Sequence, residues 1–207
     1  MKSLTLFALF IYCFIYHAHS QDFEGTIRYE ISYLNLTEDM KRMLPKENPE
    51  SLFSIKGNKT KMEMDMMGSK MIVISDTETN VSTSYTDFMG QKIKNVVPME
   101  DAEEVEIKLV DSDTKTIAGY LCKKAIMKQS GMPDMEVYYT EELKSEALSS
   151  FNSQFKKLKG IPLEYQIHQQ GITMVSSAKE VIKKTISSSV FNAPAGDYKE
   201  APPMPKY

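Results

Sequence analysis

The chain has 207 residues, and its 25 Lys and Arg are nearly balanced by 28 Asp and Glu. Because charges of both signs are interspersed, the sequence excludes a basic surface for a nucleic-acid partner. Its 15 methionines and its lack of tryptophan are unusual. They indicate a soft and adaptable apolar surface.

Residues 1–20 have the layout of a secretory signal peptide. Lys2 precedes an apolar run from Leu4 to Tyr16, and small and polar residues follow before Gln21. We therefore predict cleavage near Ser20 and Gln21 and a periplasmic or secreted mature protein. The run is shorter than the roughly 20 residues that a membrane-spanning helix needs. Since no second apolar stretch follows, we expect no transmembrane segment in the mature chain.

Alternating apolar and polar residues predict a long first strand from Phe23 to Tyr33. Between residues 52 and 97, five short β-rich runs are separated by turn residues such as Gly57-Asn58 and Met89-Gly90. Such short connections leave no room for crossover helices, so neighbouring strands should pair antiparallel. Residues 192–207 are rich in proline and lack a pattern, which predicts a flexible C-terminal tail.

Two helices are predicted. A short one follows Thr37, which is a suitable N-cap residue, and ends before Pro45. A longer helix is predicted from Thr140 to Lys159, because apolar residues recur there at helical spacing. These residues are Leu143, Ala147, Leu148, Phe151 and Phe155.

Together these elements predict an α+β, mainly β fold. About ten antiparallel strands would form one strongly curved sheet, a half-open β-barrel, with one or two helices covering its concave face. Residues 21–191 would form this single domain.

Four stretches resemble a known family. They are Phe23-x-Gly-x-Ile27, residues 116–125, Glu136-Val-Tyr-Tyr-Thr140 and Phe191-x-x-Pro194-x-Gly196-x-Tyr198. They resemble an exported bacterial family of unknown function, which is similar to the LolA/LolB-type lipoprotein carriers. The resemblance implies a LolA-like unclosed β-barrel lidded by helices.

The first functional hypothesis is a non-catalytic binding protein that holds a lipid, an acyl chain or another apolar ligand. Each buried methylene group of such a ligand would contribute about 0.8 kcal/mol. The same side chains would also make an ordinary dry core. The predicted lining consists of inward-facing strand residues and apolar residues of the longer helix, namely Phe23, Ile27, Tyr29, Ile31, Met62, Met64, Met66, Val137, Tyr139, Leu148, Phe151 and Phe155.

Two alternatives remain. One is an interaction or structural protein of the cell envelope with a filled core, which recognises a protein partner through strand edges or polar faces. The other is a Cu(I)-binding protein, because Met62, Met64 and Met66 would place three thioethers on one face of a strand. A methionine-lined core or pocket is the favoured interpretation of these three residues.

No catalytic residue and no cofactor are predicted. Cys122 lies in a strand with apolar residues on both faces, which indicates a buried and inert thiol. His168 is the single histidine of the mature chain and falls on a polar face, where we expect it to be exposed. No phosphate-binding glycine loop or nucleophile elbow is present. These features argue against an enzyme.

Overall fold

The computed structural model describes residues 22–201, apart from 45–46, 67, 100–104, 152 and 170. Within this part of the chain, twelve strands form a single sheet. In chain order the strands are β1 Gly25–Leu34, β2 Glu50–Lys56, β3 Lys59–Met66, β4 Ser69–Asp76, β5 Val81–Phe88, β6 Gln91–Pro98, β7 Val105–Ile117, β8 Tyr120–Gln129, β9 Met135–Thr140, β10 Ile161–Gln169, β11 Ile172–Lys183 and β12 Lys199–Glu200.

The sheet runs in the order β12-β6-β5-β4-β3-β2-β1-β11-β10-β9-β8-β7. Its neighbours pair antiparallel except β12, which lies parallel to β6. Strands β7 and β11 contact each other although three strands separate them in this order, so the sheet curves. Since β7 and β12 occupy its two ends, the described sheet is not closed. The prediction of a curved, mainly β fold is confirmed, while the specific likeness to lipoprotein carriers stays a prediction.

The short first helix, α1, spans Glu38–Met43. As predicted, Thr37 is its N-cap, and the Thr37 hydroxyl accepts a hydrogen bond from the Met40 amide at 3.3 Å. Acidic residues in the first turn and basic residues in the last turn complement the helix dipole. Local sequence is therefore sufficient to explain this helix.

The predicted helix from Thr140 to Lys159 is wrong. Two 3-10 helices, Glu146–Ser150 and Ser153–Lys157, replace it. The carbonyl of Leu143 accepts the amide of Ile161, and the Lys144 carbonyl accepts the amide of Phe23, so both carbonyls bond distant parts of the chain. The Ala147 amide bonds the Ser145 hydroxyl instead, at 3.0 Å. Serine side chains compete with the helical ladder in this way.

We call residues 143–158 the plug segment. Its buried apolar side chains, which include Leu143, Leu148 and Phe155, pack into the sheet's two hydrophobic clusters. It also contacts β3 and β4 through its first 3-10 helix. The stripe of apolar residues is thus covered as the sequence predicts, although the backbone is not an α-helix.

Residues 196–201, part of the tail that we predict to be flexible, lie against the sheet. Tyr198 packs edge-on against Tyr85 with ring centroids 5.2 Å apart, and the ammonium group of Lys92 lies 5.6 Å from the centroid of the Tyr198 ring. Lys94 pairs with Glu200 at 3.3 Å. The structure therefore differs from the prediction up to residue 201, and residues 202–207 lie outside the described residues.

Among the helices of the described residues, none has the length and apolar character that crossing a membrane requires. The predicted signal peptide, residues 1–20, lies outside the described residues.

Candidate binding surfaces

The predicted lining residues mostly form a packed core. Ile31, Met62, Met64 and Phe151 are half-buried, and the side chain of Met66 lies outside the described residues. The other seven are buried, namely Phe23, Ile27, Tyr29, Val137, Tyr139, Leu148 and Phe155. Two hydrophobic clusters account for these seven residues, and Phe151 and Tyr165 pack against both clusters.

Aromatic contacts fill the space between the plug segment and the sheet. Phe151 stacks on Phe53 with ring centroids 4.4 Å apart, and Phe155 lies edge-on to Tyr165 at 5.3 Å. The hydroxyl of Tyr29 donates a hydrogen bond to the Pro162 carbonyl at 2.7 Å, so this buried polar group is satisfied. The plug segment thus occupies the position that a ligand would take in the first hypothesis.

The methionine strand β3 keeps its predicted alternation. Met64 lies opposite Met71 of β4, and Met62 lies opposite Val73. These side chains are half-buried, and Met62 packs against the main core. Met62 is therefore at the edge of the hydrophobic core, whereas Met64 lines a cavity with charged residues such as Arg28, Glu63 and Lys70.

A second methionine group surrounds a cavity of about 220 Å³. We call this cavity the methionine pocket, and its lining includes Met127, Met132, Met135, Ile167 and His168. Met127 of β8 lies directly opposite Met135 of β9, and Met132 lies in the turn between these strands. None of the described residues that line the pocket is Asp, Glu, Lys or Arg. The pocket is therefore lined by three methionine side chains together with the amides of Gln129, Gln154 and Gln166, and none of these side chains is charged.

His168 has a fixed ring orientation beside this pocket. Its Nε2 lies 3.2 Å from the carbonyl oxygen of Asp134, and its Nδ1 lies 3.0 Å from the Thr173 hydroxyl. Because a carbonyl oxygen only accepts hydrogen bonds, Nε2 donates to it, and in the neutral ring Nδ1 then accepts from the hydroxyl. His168 is exposed, as the sequence predicts.

The β5–β6 hairpin carries a concentration of exposed apolar side chains. They are Phe88, Met89, Ile93, Val96 and Val97. On the outer edge of β6, β12 pairs only with Ile93 and Lys94, so among the described residues 95–98 have no strand beside them there. A groove of about 620 Å³ lies between this hairpin and residues 197–199. Val96 and Val97 thus project from the two faces of the uncovered part of β6, while the groove lies toward the hairpin tip.

Met89 stands at the tip of this hairpin in an unfavourable backbone conformation. The two-residue loop Met89-Gly90 has φ values of 50° and 83°. This left-handed geometry suits Gly or Asn, and a side chain such as methionine adds strain. The Met89 side chain is nonetheless 85% exposed, so burial in the monomer does not offset that strain.

A polar network occupies the bulged part of β7 and its neighbours. The Tyr138 hydroxyl donates to Asp113 at 3.1 Å, and the ammonium group of Lys115 lies 3.9 Å from the Tyr138 ring centroid. Lys115 also pairs with Glu164, and Lys124 pairs with Asp113 at 3.4 Å. Burial and the bond to Asp113 raise the pKa of Tyr138. These charges satisfy one another, which indicates a structural role.

Cys122 is buried, as predicted, with no exposed surface. Burial raises the pKa of its thiol to about 11, so the thiol stays protonated at neutral pH. Such a group is a poor nucleophile. Within the described residues, no group of three or more His, Cys, Asp or Glu side chains could hold a metal ion.

Comparisons with known proteins bear on the fold. No protein-family model and no curated protein matches the chain. PNGF-II, in two crystal forms, matches with TM-scores of 0.52 and 0.51 at 19% and 18% identity. Each match covers 86% of this chain, which spans only 32% and 31% of the PNGF-II chains. An uncharacterized conserved protein from Thermus thermophilus matches with a TM-score of 0.52 at 10% identity, over 86% of this chain and 90% of that one. These likenesses show the fold alone.

The periodicity of the strands in the sequence predicts neither the methionine pocket nor the uncovered edge of β6. Met127, Met132 and Met135 are visibly close in the chain, but His168 joins them only through strand pairing. At the hairpin, the Met89-Gly90 turn is recognisable in the sequence. The covering of β6 by only two residues of β12 depends on the path of the C-terminal segment.

Proposed function

We propose that this is an exported, non-catalytic binding protein of the cell envelope that recognises a protein partner through the β5–β6 hairpin. This corresponds to the filled-core alternative among the sequence-based hypotheses. The observation that carries it is the uncovered edge of β6 at residues 95–98, where Val96 and Val97 are exposed, together with exposed Phe88 and Met89 at the hairpin tip. An extended segment of the partner would add to this edge by main-chain hydrogen bonds, with its alternate side chains against Val96 on one face and Val97 on the other.

The conformation of Met89 supports the same assignment. A strained residue with an exposed apolar side chain is retained at functional sites more readily than elsewhere. Replacing Met89 with Asn, which tolerates the left-handed region, should stabilise the fold by about 0.5–1 kcal/mol. The same change should weaken partner binding, because the apolar contact at the hairpin tip is lost.

Site-specific cross-linking tests this proposal in cells of the source organism. A photo-reactive amino acid in place of Val96 should give a discrete protein adduct. The matched control replaces Lys108, an exposed residue of the opposite edge strand β7, and should give none. Adduct yield from position 96 should fall in the Met89→Asn background. Equal yields from both positions, or a yield that Met89→Asn leaves unchanged, would contradict the proposal.

The apolar-ligand hypothesis is the second candidate, and the methionine pocket favours it. Its volume, about 220 Å³, lies below the roughly 300–1,000 Å³ of typical small-molecule sites, so only part of an acyl chain would fit unless the plug segment moves. Native mass spectrometry of residues 21–207, purified without detergent, separates the two candidates. An extractable lipid adduct would support a carrier. A bare polypeptide that takes up no fluorescent fatty acid would exclude one.

A further inference from the structure

We propose that the methionine pocket binds a soft monovalent cation of the Cu(I) type through the thioethers of Met127, Met132 and Met135. This site differs from the strand Met62–Met66 that the sequence suggests, and it does not depend on the proposed partner surface. Thioethers prefer Cu(I) over hard cations, and imidazole also suits copper. His168 lies in the same lining, but both of its ring nitrogens already have hydrogen-bond partners, so the three thioethers make up the donor set.

The backbone brings the three thioether-bearing residues together. Met127 and Met135 are cross-strand partners, so their side chains project from adjacent strands. Gly131 has a φ of 76°, and the Met132 amide bonds the Gln129 carbonyl at 3.1 Å, which closes the intervening turn. Three methionines from one hairpin thus converge on a cavity of about 220 Å³.

The burial of the methionines is graded along the pocket. Met127 is only 1% exposed, Met135 is half-buried, and Met132 is 61% exposed. A cation would therefore enter from the side of Met132 and reach Met127 at the inner end. At the inner end Met127 and Met135 also contact the second hydrophobic cluster, which limits access of water.

The charge of the surroundings favours a soft monovalent ion. Hard divalent cations require several oxygen ligands, usually carboxylates, and the lining described for the pocket has no acidic side chain. The nearby carboxylate of Asp134 is already paired with Lys128 at 3.5 Å. Occupation of the pocket therefore depends on the affinity of the methionine sulfur atoms for the ion.

Ag(I), a redox-inert analogue, and Cu(I) kept reduced under anaerobic conditions are the probes. The experiment uses residues 21–207 without an affinity tag in a Cys122→Ala background, because a thiol would bind either ion. Competition with a colorimetric chelator measures affinity, and spectra of ¹³C-labelled methionine methyl groups locate the ion. We expect one bound ion, with shifts confined to Met127, Met132 and Met135.

Changing all three residues to leucine should weaken binding by more than about tenfold, because even the loss of an outer-shell partner of a metal ligand costs on the order of 10- to 100-fold in affinity. The matched control changes Met62, Met64 and Met71 to leucine and should leave affinity unaltered. Met132→Leu alone, at an exposed position, provides a variant whose folding is not at risk. Absence of binding, equal affinity in all variants, or loss in the control triplet instead would overturn the proposal.

Discussion

At the scale of single residues, the interior combines apolar packing with a few buried polar groups. Tyr29 shows how such a group is accommodated. Its ring lies edge-on to Phe53 and Tyr165, and its hydroxyl bonds the Pro162 carbonyl. Burial raises the pKa of this hydroxyl well above its ordinary value. The group therefore remains neutral and bonded at physiological pH.

Ionisation of the buried Cys122 thiol should make the stability of the fold depend on pH in the alkaline range. Burial raises the pKa of its thiol from an ordinary value of 9.0 to about 11. Because the folded state favours the protonated thiol, the contribution to stability is complete below pH 9 and is lost as pH rises toward about 11. We expect the free energy of unfolding in urea to fall over this range. The Cys122→Ala variant should show a shallower fall.

Ionisation of Tyr29 should also lower the free energy of unfolding at higher pH, since burial raises the pKa of its hydroxyl too. For this reason the comparison is made between wild type and Cys122→Ala at each pH. An identical dependence in both proteins would show that the thiol does not ionise on unfolding in this range.

At the scale of elements, the plug segment is positioned by backbone contacts at both of its ends. Phe23 and Ile161 donate amide hydrogen bonds to its first two carbonyls, those of Lys144 and Leu143. Gly160 follows the segment and lies against the backbone of Thr140, the last residue of β9. These contacts place the apolar side chains over the sheet without requiring a regular helix.

Gly160→Ala should destabilise the protein by about 1–3 kcal/mol, the usual cost of overpacking. An added Cβ would lie 1.9 Å from the carbonyl oxygen of Thr140, which is itself fully buried. Thermal or urea unfolding measures the effect. Lys159→Ala, at the exposed neighbouring position, is the control and should change stability little. A neutral Gly160→Ala would mean that the approach of the two backbones is looser than described.

At the scale of the whole molecule, the two edges of the sheet are protected in different ways. Strand β7 spans Val105–Ile117 and carries a bulge between Val110 and Thr114. Bulges and charged residues discourage pairing of exposed edges. At the other end, the short β12 covers part of β6. The unequal cover of the two edges is consistent with a partner at β6 rather than at β7.

Tyr198→Ala should loosen this cover. The change removes the ring contact with Tyr85 and the contact with the Lys92 ammonium, together about 1–2 kcal/mol. We expect faster hydrogen exchange at the β6 amides and greater self-association, since more of the edge becomes available. Tyr198→Phe keeps the ring and serves as the control. Unchanged exchange in Tyr198→Ala would show that residues 196–201 do not protect β6.

The sequence by itself determined those features that depend on local patterns. Alternation along residues 23–33 and short turn-separated runs specify antiparallel strands, because side-chain period and turn length constrain pairing directly. Thr37 and the acids after it specify α1 through local capping. The alternating pattern also predicts that most of the lining residues are buried, since apolar strand faces must be covered. It does not predict which segment of the chain covers them.

Tertiary structure decided what covers those faces. Residues 143–158 have an amphipathic spacing that predicts a helix, yet distant amides from Phe23 and Ile161 take two of the carbonyls that a helix would need. The packing of residues 196–201 on the sheet, the partial cover of β6 and the position of His168 beside three methionines likewise depend on contacts far apart in sequence. Local sequence propensity does not predict such contacts, because they form and stabilise the fold only after the strands have paired.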